Sequence, residues 1–258
     1  MSSLRRHWPE YLMEAAELGL FMLAATLGTV LLEHPASPVR RALPDPLLRR
    51  ALMGLAMGAT AVAIVYSPLG QRSGAHFNPA VTLTFLRLGK VAPVDAAFYV
   101  AAQFLGGVAG VLLAASVSGT LLAHPSVNYA VTAPGAGGPA VAFAAETAIS
   151  FGLMTAVLVV SNSRFARATG LVAGALVAIW ITCEAPLSGT SMNPARTLGS
   201  ALPARVFDSL WVYFGAPLAG MLLAAESYTR LGRTRTVRCA KLHHENRRRC
   251  IFCGEPAR

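Results

Sequence analysis

Apolar runs at 18–32, 98–117 and 141–160 approach or match the roughly 20 helical residues that cross a hydrocarbon layer of about 30 Å. A chain with such runs folds with lipid as part of its solvent. Hydrophobic residues make up 54% of the 258 and charged residues 13%, against about 25% charged in an average soluble domain. Mean hydropathy is +0.52. These values exclude a soluble enzyme, a disordered regulator and a disulfide-rich secreted module. Arg5 and Arg6 imitate the start of a secretion signal, but the run behind them is too long for a signal core and contains Glu14 and Glu17, so it reads as a retained first span.

The formal charge of +10 invites a nucleic-acid reading until its placement is examined. Nine of the 22 basic residues follow Ser227, and the middle of the chain is nearly free of charge. The basic balance therefore belongs to flanks and a tail facing an anionic lipid surface, and no nucleic-acid partner is expected.

Full spans are expected at about 11–33, 48–67, 92–118, 139–161, 166–186 and 208–229. Segments 79–88 and 194–202 are about half as long as a crossing needs. Each is introduced by Asn-Pro, which writes a helix start: asparagine caps the first turn, and proline gives up an N–H that had no helical partner. The motif Asn78-Pro79-Ala80 recurs 115 residues later as Asn193-Pro194-Ala195. Three spans lie between the copies, an odd number, so the second half-helix enters from the opposite face and the repeat is inverted. The fold class is thus an all-α membrane protein of six spanning helices and two re-entrant half-helices. Three regions follow: an N-terminal segment 1–10, a channel-like domain 11–229 and a basic tail 230–258.

With the N-terminus inside, 16 Lys and Arg fall inside and six outside, so the positive-inside rule places both termini in the cytoplasm of a cell (inner) membrane. Half-helices entering from opposite faces meet near the midplane. Irregular backbone at that depth is tolerated only where it is buried in protein or lines water. A pore follows, with the side-chain donors of Asn78 and Asn193 and two positive helix ends directed at a passing oxygen. Water fits such a place; a cation or hydronium does not. Arg196, one turn along the second half-helix, adds a guanidinium that repels cations and is expensive in a membrane unless it lines water.

The segments SGAHFNPAVT at 73–82 and SGTSMNPARTLGSAL at 188–202 resemble the paired signature of the aquaporins, or major intrinsic proteins, in a bacterial-type form. The resemblance extends through Glu17, Gln103 and Glu146 and covers roughly 11–230. It implies a right-handed bundle with one pore per protomer and a homotetramer. By the same resemblance Glu17, Glu146 and His76 support the pore loops, and the outer filter falls on Met57 or Gly58, Ile181, Thr190 and Arg196. That filter has neither the histidine of strict water channels nor the aromatics of glycerol facilitators. Thr197, Ala201 and the pair Tyr213-Phe214 pull back toward water. Water is therefore the expected solute, with glycerol, ammonia or a metalloid hydroxide as alternatives. Glu184 reads as the solvated end of the fifth span.

The tail carries C-x3-H-x6-C-x2-C at Cys239, His243, Cys250 and Cys253, a donor set suited to tetrahedral zinc, with His244 equally placed as the imidazole. Transport itself calls for no cofactor and no catalytic residue. An ion-coupled carrier would share the broken helices, but it would place ionisable groups where this chain has two asparagines. An intramembrane enzyme would need a nucleophile and base in a watery pocket. A metal-binding module on a closed channel is the remaining alternative.

Overall fold

The computed structural model describes residues 3–231 and 236–254. Residues 1–2, 232–235 and 255–258, parts of the expected N-terminal segment and tail, lie outside the described residues. Six helices are long and apolar enough to span a membrane. They are α1 (Ser3–Glu33), α2 (Pro46–Tyr66), α4 (Pro93–Ser118), α5 (Gly138–Ser161), α6 (Thr169–Cys183, which with the turn before it spans Ala166–Cys183) and α8 (Leu210–Leu231). Among the described residues there are also two half-length helices, α3 (Pro79–Arg87) and α7 (Pro194–Ala204), and several single-turn helices in the connections. The architecture matches the expected all-α membrane fold, with one boundary moved. α1 starts at Ser3 instead of near residue 11. Its first turns are tied down by His7 Nδ1 against Asp95 Oδ1 at 2.9 Å and by Glu10 to Arg72 at 2.9 Å.

Small residues let the helices approach backbone to backbone, the usual source of association where lipid is as apolar as leucine. A Cβ on Gly106 of α4 would lie 2.1 Å from the Ala15 carbonyl oxygen of α1. In the second half, a Cβ on Gly220 of α8 would lie 2.3 Å from that of Thr147 on α5. Large apolar side chains such as Leu55, Leu105 and Val117 stay outside, as lipid-facing residues do. Two of the basic residues expected outside are structural. Arg49 bonds Glu33 at 3.0 Å and the carbonyls of Leu43 and Pro44 at 2.8 Å, while Arg50 reaches the Thr182 carbonyl at 3.2 Å.

Both half-helices begin as the sequence predicts. Asn78 and Asn193 are extended N-caps whose side-chain oxygens accept from the amides of Ala80 and of Ala195 and Arg196. Proline follows each at the first helical position.

Candidate functional site

The loops before α3 and α7 do more than connect. Ala75 and Phe77 in the first, and Thr190 and Met192 in the second, hold positive φ at corresponding positions. Left-handed backbone costs of order 1–3 kcal/mol for such residues and persists only where surrounding bonds over-determine it. Those bonds come from buried carboxylates. Glu14 accepts from the amides of His76 (2.9 Å) and Phe77 (2.7 Å) and from Gln103 Nε2 (2.6 Å). Glu146 accepts from the amides of Ser191 (2.5 Å) and Met192 (2.7 Å) and from Ser188 Oγ (2.8 Å). Glu17 takes a different part, accepting, among the described residues, only from Ser73 Oγ at 2.6 Å.

Tyrosines complete each loop. Tyr99 donates to the Ser73 carbonyl and Tyr213 to that of Ser188, both at 2.7 Å. His76 meets Thr82 Oγ1 through Nδ1 at 3.0 Å, where Ser191 meets Thr197 at 2.5 Å in the other loop.

At the centre the halves are tied reciprocally. Asn78 Nδ2 donates to the Met192 carbonyl and Asn193 Nδ2 to the Phe77 carbonyl, each at 2.8 Å. An amide NH2 carries two hydrogens. One from each asparagine locks the opposite loop, and its oxygen caps its own helix. The second is left for the cavity that both residues line.

That cavity, about 250 Å³, is lined at helical spacing by Phe21, Ala25 and Thr29 of α1, by Met53, Met57 and Ala61 of α2, and by Ala173, Val177 and Ile181 of α6. It runs from Glu33, Arg49 and Arg50 at one end to His76, Val157 and Leu242 at the other. Met57, Ile181, Thr190 and Arg196 all line it. Arg196 Nη1 is buried with no hydrogen-bond partner among the described residues.

Gly58 is corrected to a helix contact. A Cβ there would lie 2.5 Å from the Gly174 carbonyl of α6, and Gly58 is not among the cavity-lining residues. Glu184 is corrected as well. It is 7% exposed and accepts from Thr190 Oγ1 at 2.5 Å, so it orients a cavity-lining side chain instead of ending a span in solvent. Glu14 is the functional residue that sequence reasoning missed. Its only sequence signal is a carboxylate inside a span, one turn before Glu17.

In the tail, Cys239, His244, Cys250 and Cys253 bring one ligand atom each to within 4.8 Å of one another. Tetrahedral zinc, with bonds of about 2.0–2.3 Å, holds its donors under about 4 Å apart, and the cluster needs little adjustment to reach that. His243 is corrected out of the set: its ring packs edge-on against Tyr66 at 4.9 Å. The amides of Phe252 and Cys253 reach the Cys250 sulfur, and Gly254 at φ +73 closes the turn. A hydrogen bond from Cys239, with those amides, holds the Cys250 thiol below its ordinary range, while the same bond and burial push Cys239 up.

Residues 4–228 match the family described as "Major intrinsic protein". Aquaporin NIP6-1 of Arabidopsis thaliana is 38% identical over 181 residues, 69% of this chain and 57% of the relative. Aquaporin NIP2-1 of Oryza sativa subsp. japonica is 36% identical over 174 residues, 67% of this chain and 56% of the relative. The matched segments thus span under two thirds of those relatives' length. The aquaglyceroporin of Plasmodium falciparum superposes with a TM-score of 0.70 at 21% identity, covering 87% of this chain and 96% of that one. The chain belongs to the major intrinsic protein family.

Proposed function

We propose that this member of the major intrinsic protein family is a passive channel for water and other small uncharged solutes that excludes protons and ions, with no catalytic step. One observation carries the reading: two asparagines, each with one amide hydrogen spent on the opposite loop, share a cavity with an arginine nitrogen that has no described protein partner. A solute oxygen entering there meets donors from three sides. A cation meets a fixed guanidinium and two positive helix ends.

Asn78 and Asn193, with Pro79-Ala80 and Pro194-Ala195 starting their helices, form the central station. Met57, Ile181, Thr190 and Arg196 form the outer filter. Glu14, Glu17, Glu146 and His76 hold the loops. The domain 11–229 conducts, as a homotetramer with a pore in each protomer, in a cell (inner) membrane with both termini cytoplasmic. The apolar wall of Met57 and Ile181 facing Thr190 and Arg196 supports a second solute class, small polyols such as glycerol.

The tail 230–258 binds Zn2+ through Cys239, His244, Cys250 and Cys253. Such a site contributes folding energy to a segment too small for a core of its own.

Stopped-flow shrinkage of proteoliposomes under water, glycerol, urea and ammonia gradients tests the channel. The protein is measured both zinc-loaded and stripped of zinc; water flux above that of empty liposomes in at least one form, with no proton leak, is the expected result, and permeability equal to that of empty liposomes in both forms overturns it. Metal analysis tests the tail. About one zinc per chain is expected, lowered at least about tenfold in affinity by His244→Ala and within about threefold of wild type in His243→Ala.

A further inference from the structure

We propose that the metal-bound tail is a cap on the mouth of the pore at the N-terminal face, shut while the ion is held and released when it is lost. The proposal rests on the channel and zinc readings above and adds regulation to both.

The residues between the ligands are the ones that dock. Ala240 and Leu242 are 0% and 6% exposed, a burial that a segment of this length cannot create from its own side chains, while the Lys241 ammonium between them turns back to Asn246 Oδ1 and the Arg248 carbonyl within the tail. Leu242 lines the same cavity as Asn78, Asn193 and Arg196, at its inner end. Its amide donates to the Gly74 carbonyl of the first re-entrant loop at 3.1 Å. His76 Nε2 lies 2.7 Å from the Ala240 carbonyl. A carbonyl only accepts, so that nitrogen carries the proton, and Nδ1 accepts from Thr82. Phe252 lies parallel to the His76 ring, with centroids 5.3 Å apart and planes at 5°, and meets Tyr99 edge-on at 5.8 Å.

The loop between α5 and α6 holds the rim. The Arg238 amide donates to Asn162 Oδ1 at 2.7 Å, and Arg167 pairs with Glu245 at 2.7 Å.

The order along the chain explains the coupling. Cys239 immediately precedes the strip that seals the mouth, and Cys250 and Cys253 bracket Phe252. One ion joins both docking pieces into a single body. Without it, Leu242 and Phe252 belong to separate lengths of a tail with no core, and each contact must hold by itself. At the other end of the cavity stand Glu33, Arg49 and Arg50, with no comparable apolar cover among the described residues. Control is therefore placed at one mouth only.

The test uses the full chain in proteoliposomes, with metal content, water flux and amide hydrogen exchange followed together. Zinc-loaded protein is expected to conduct poorly. Stripping with a zinc chelator should raise its flux about tenfold, as a mostly closed population becomes mostly open, and should speed exchange of the Leu242 amide. Cys250→Ser should conduct freely before and after stripping. The double variant Leu242→Ala/Phe252→Ala should keep its zinc and still conduct freely.

Flux that is the same in loaded and stripped protein, with one zinc bound, overturns the cap and leaves the metal and channel readings standing. So does rising flux without faster Leu242 exchange. Protein that purifies with under about a tenth of an equivalent of zinc and gains none when supplied with it overturns the metal reading and the cap with it. No flux in any form removes the channel as well.

Discussion

Ser73, Gly74, Ala75, Phe77, Asn78 and Thr82 in the first re-entrant loop answer one for one to Ser188, Gly189, Thr190, Met192, Asn193 and Thr197 in the second. The two sets share their positive-φ residues, their tyrosine bonds and their reciprocal asparagine bonds. Between 73–82 and 188–197 four residues differ: Ala75 against Thr190 and Phe77 against Met192 keep the same positive φ, while the other two change the chemistry. Val81 stands where the second half-helix carries Arg196, and His76 stands where the second loop has Ser191. Buried support is arranged differently too, since Glu146 alone does what Glu14 and Glu17 divide between them. The shared positions build a two-sided scaffold; the divergent ones give its ends different work. A charge faces the cavity on the side of Arg196, and a ring on the side of His76 packs against the tail.

The comparison can be broken most forcefully at the carboxylates. Glu146→Leu leaves the amides of Ser191 and Met192 and the Ser188 hydroxyl without their acceptor, each buried loss of about 1–3 kcal/mol. A loss of at least about 3 kcal/mol is expected, read as a collapse in thermal stability in detergent, with Glu14→Leu close behind. If Glu17→Leu proved as damaging as either, the division of labour in the first half would be wrong.

Next in size is Arg196→Val, which makes the second half-helix like the first. Urea and glycerol permeability should rise about tenfold while water flux stays within about threefold, measured by stopped-flow scattering. An unchanged solute ranking would remove Arg196 from the filter.

The tyrosines should respond alike. Tyr99→Phe and Tyr213→Phe each delete one hydrogen bond of equal length, for about 1 kcal/mol apiece. Being in separate halves they should add within about 0.5 kcal/mol in the double variant. Smallest of all, Glu17→Gln keeps an acceptor for Ser73 and should shift thermal stability by under about 0.5 kcal/mol.

Much of the bundle was legible because lipid imposes a length and a polarity on every span, and because Asn-Pro writes a helix start in local chemistry. The residues that stayed hidden act over distance or differ by one position. Glu14 acquires its role from amides 62 and 63 residues away, which no local pattern announces. Glu184 looks like a span end until Thr190 folds back onto it. Between Met57 and Gly58, a helix turns by about 100° per residue, and only packing against Gly174 decides which one faces the cavity. His243 and His244 sit in an irregular turn where spacing has no period at all; the contact with Tyr66 takes the first and leaves the second beside the thiols.

The crossed asparagine bonds also constrain how the chain can be made. When a ribosome has made α1 to α3, the Asn78 amide and the Phe77 carbonyl lack their final partners, because residues 192 and 193 are more than a hundred codons away. The first half must therefore wait in the translocon or among lipids as an unfinished guest, and assembly ends in a single late closure instead of two independent ones.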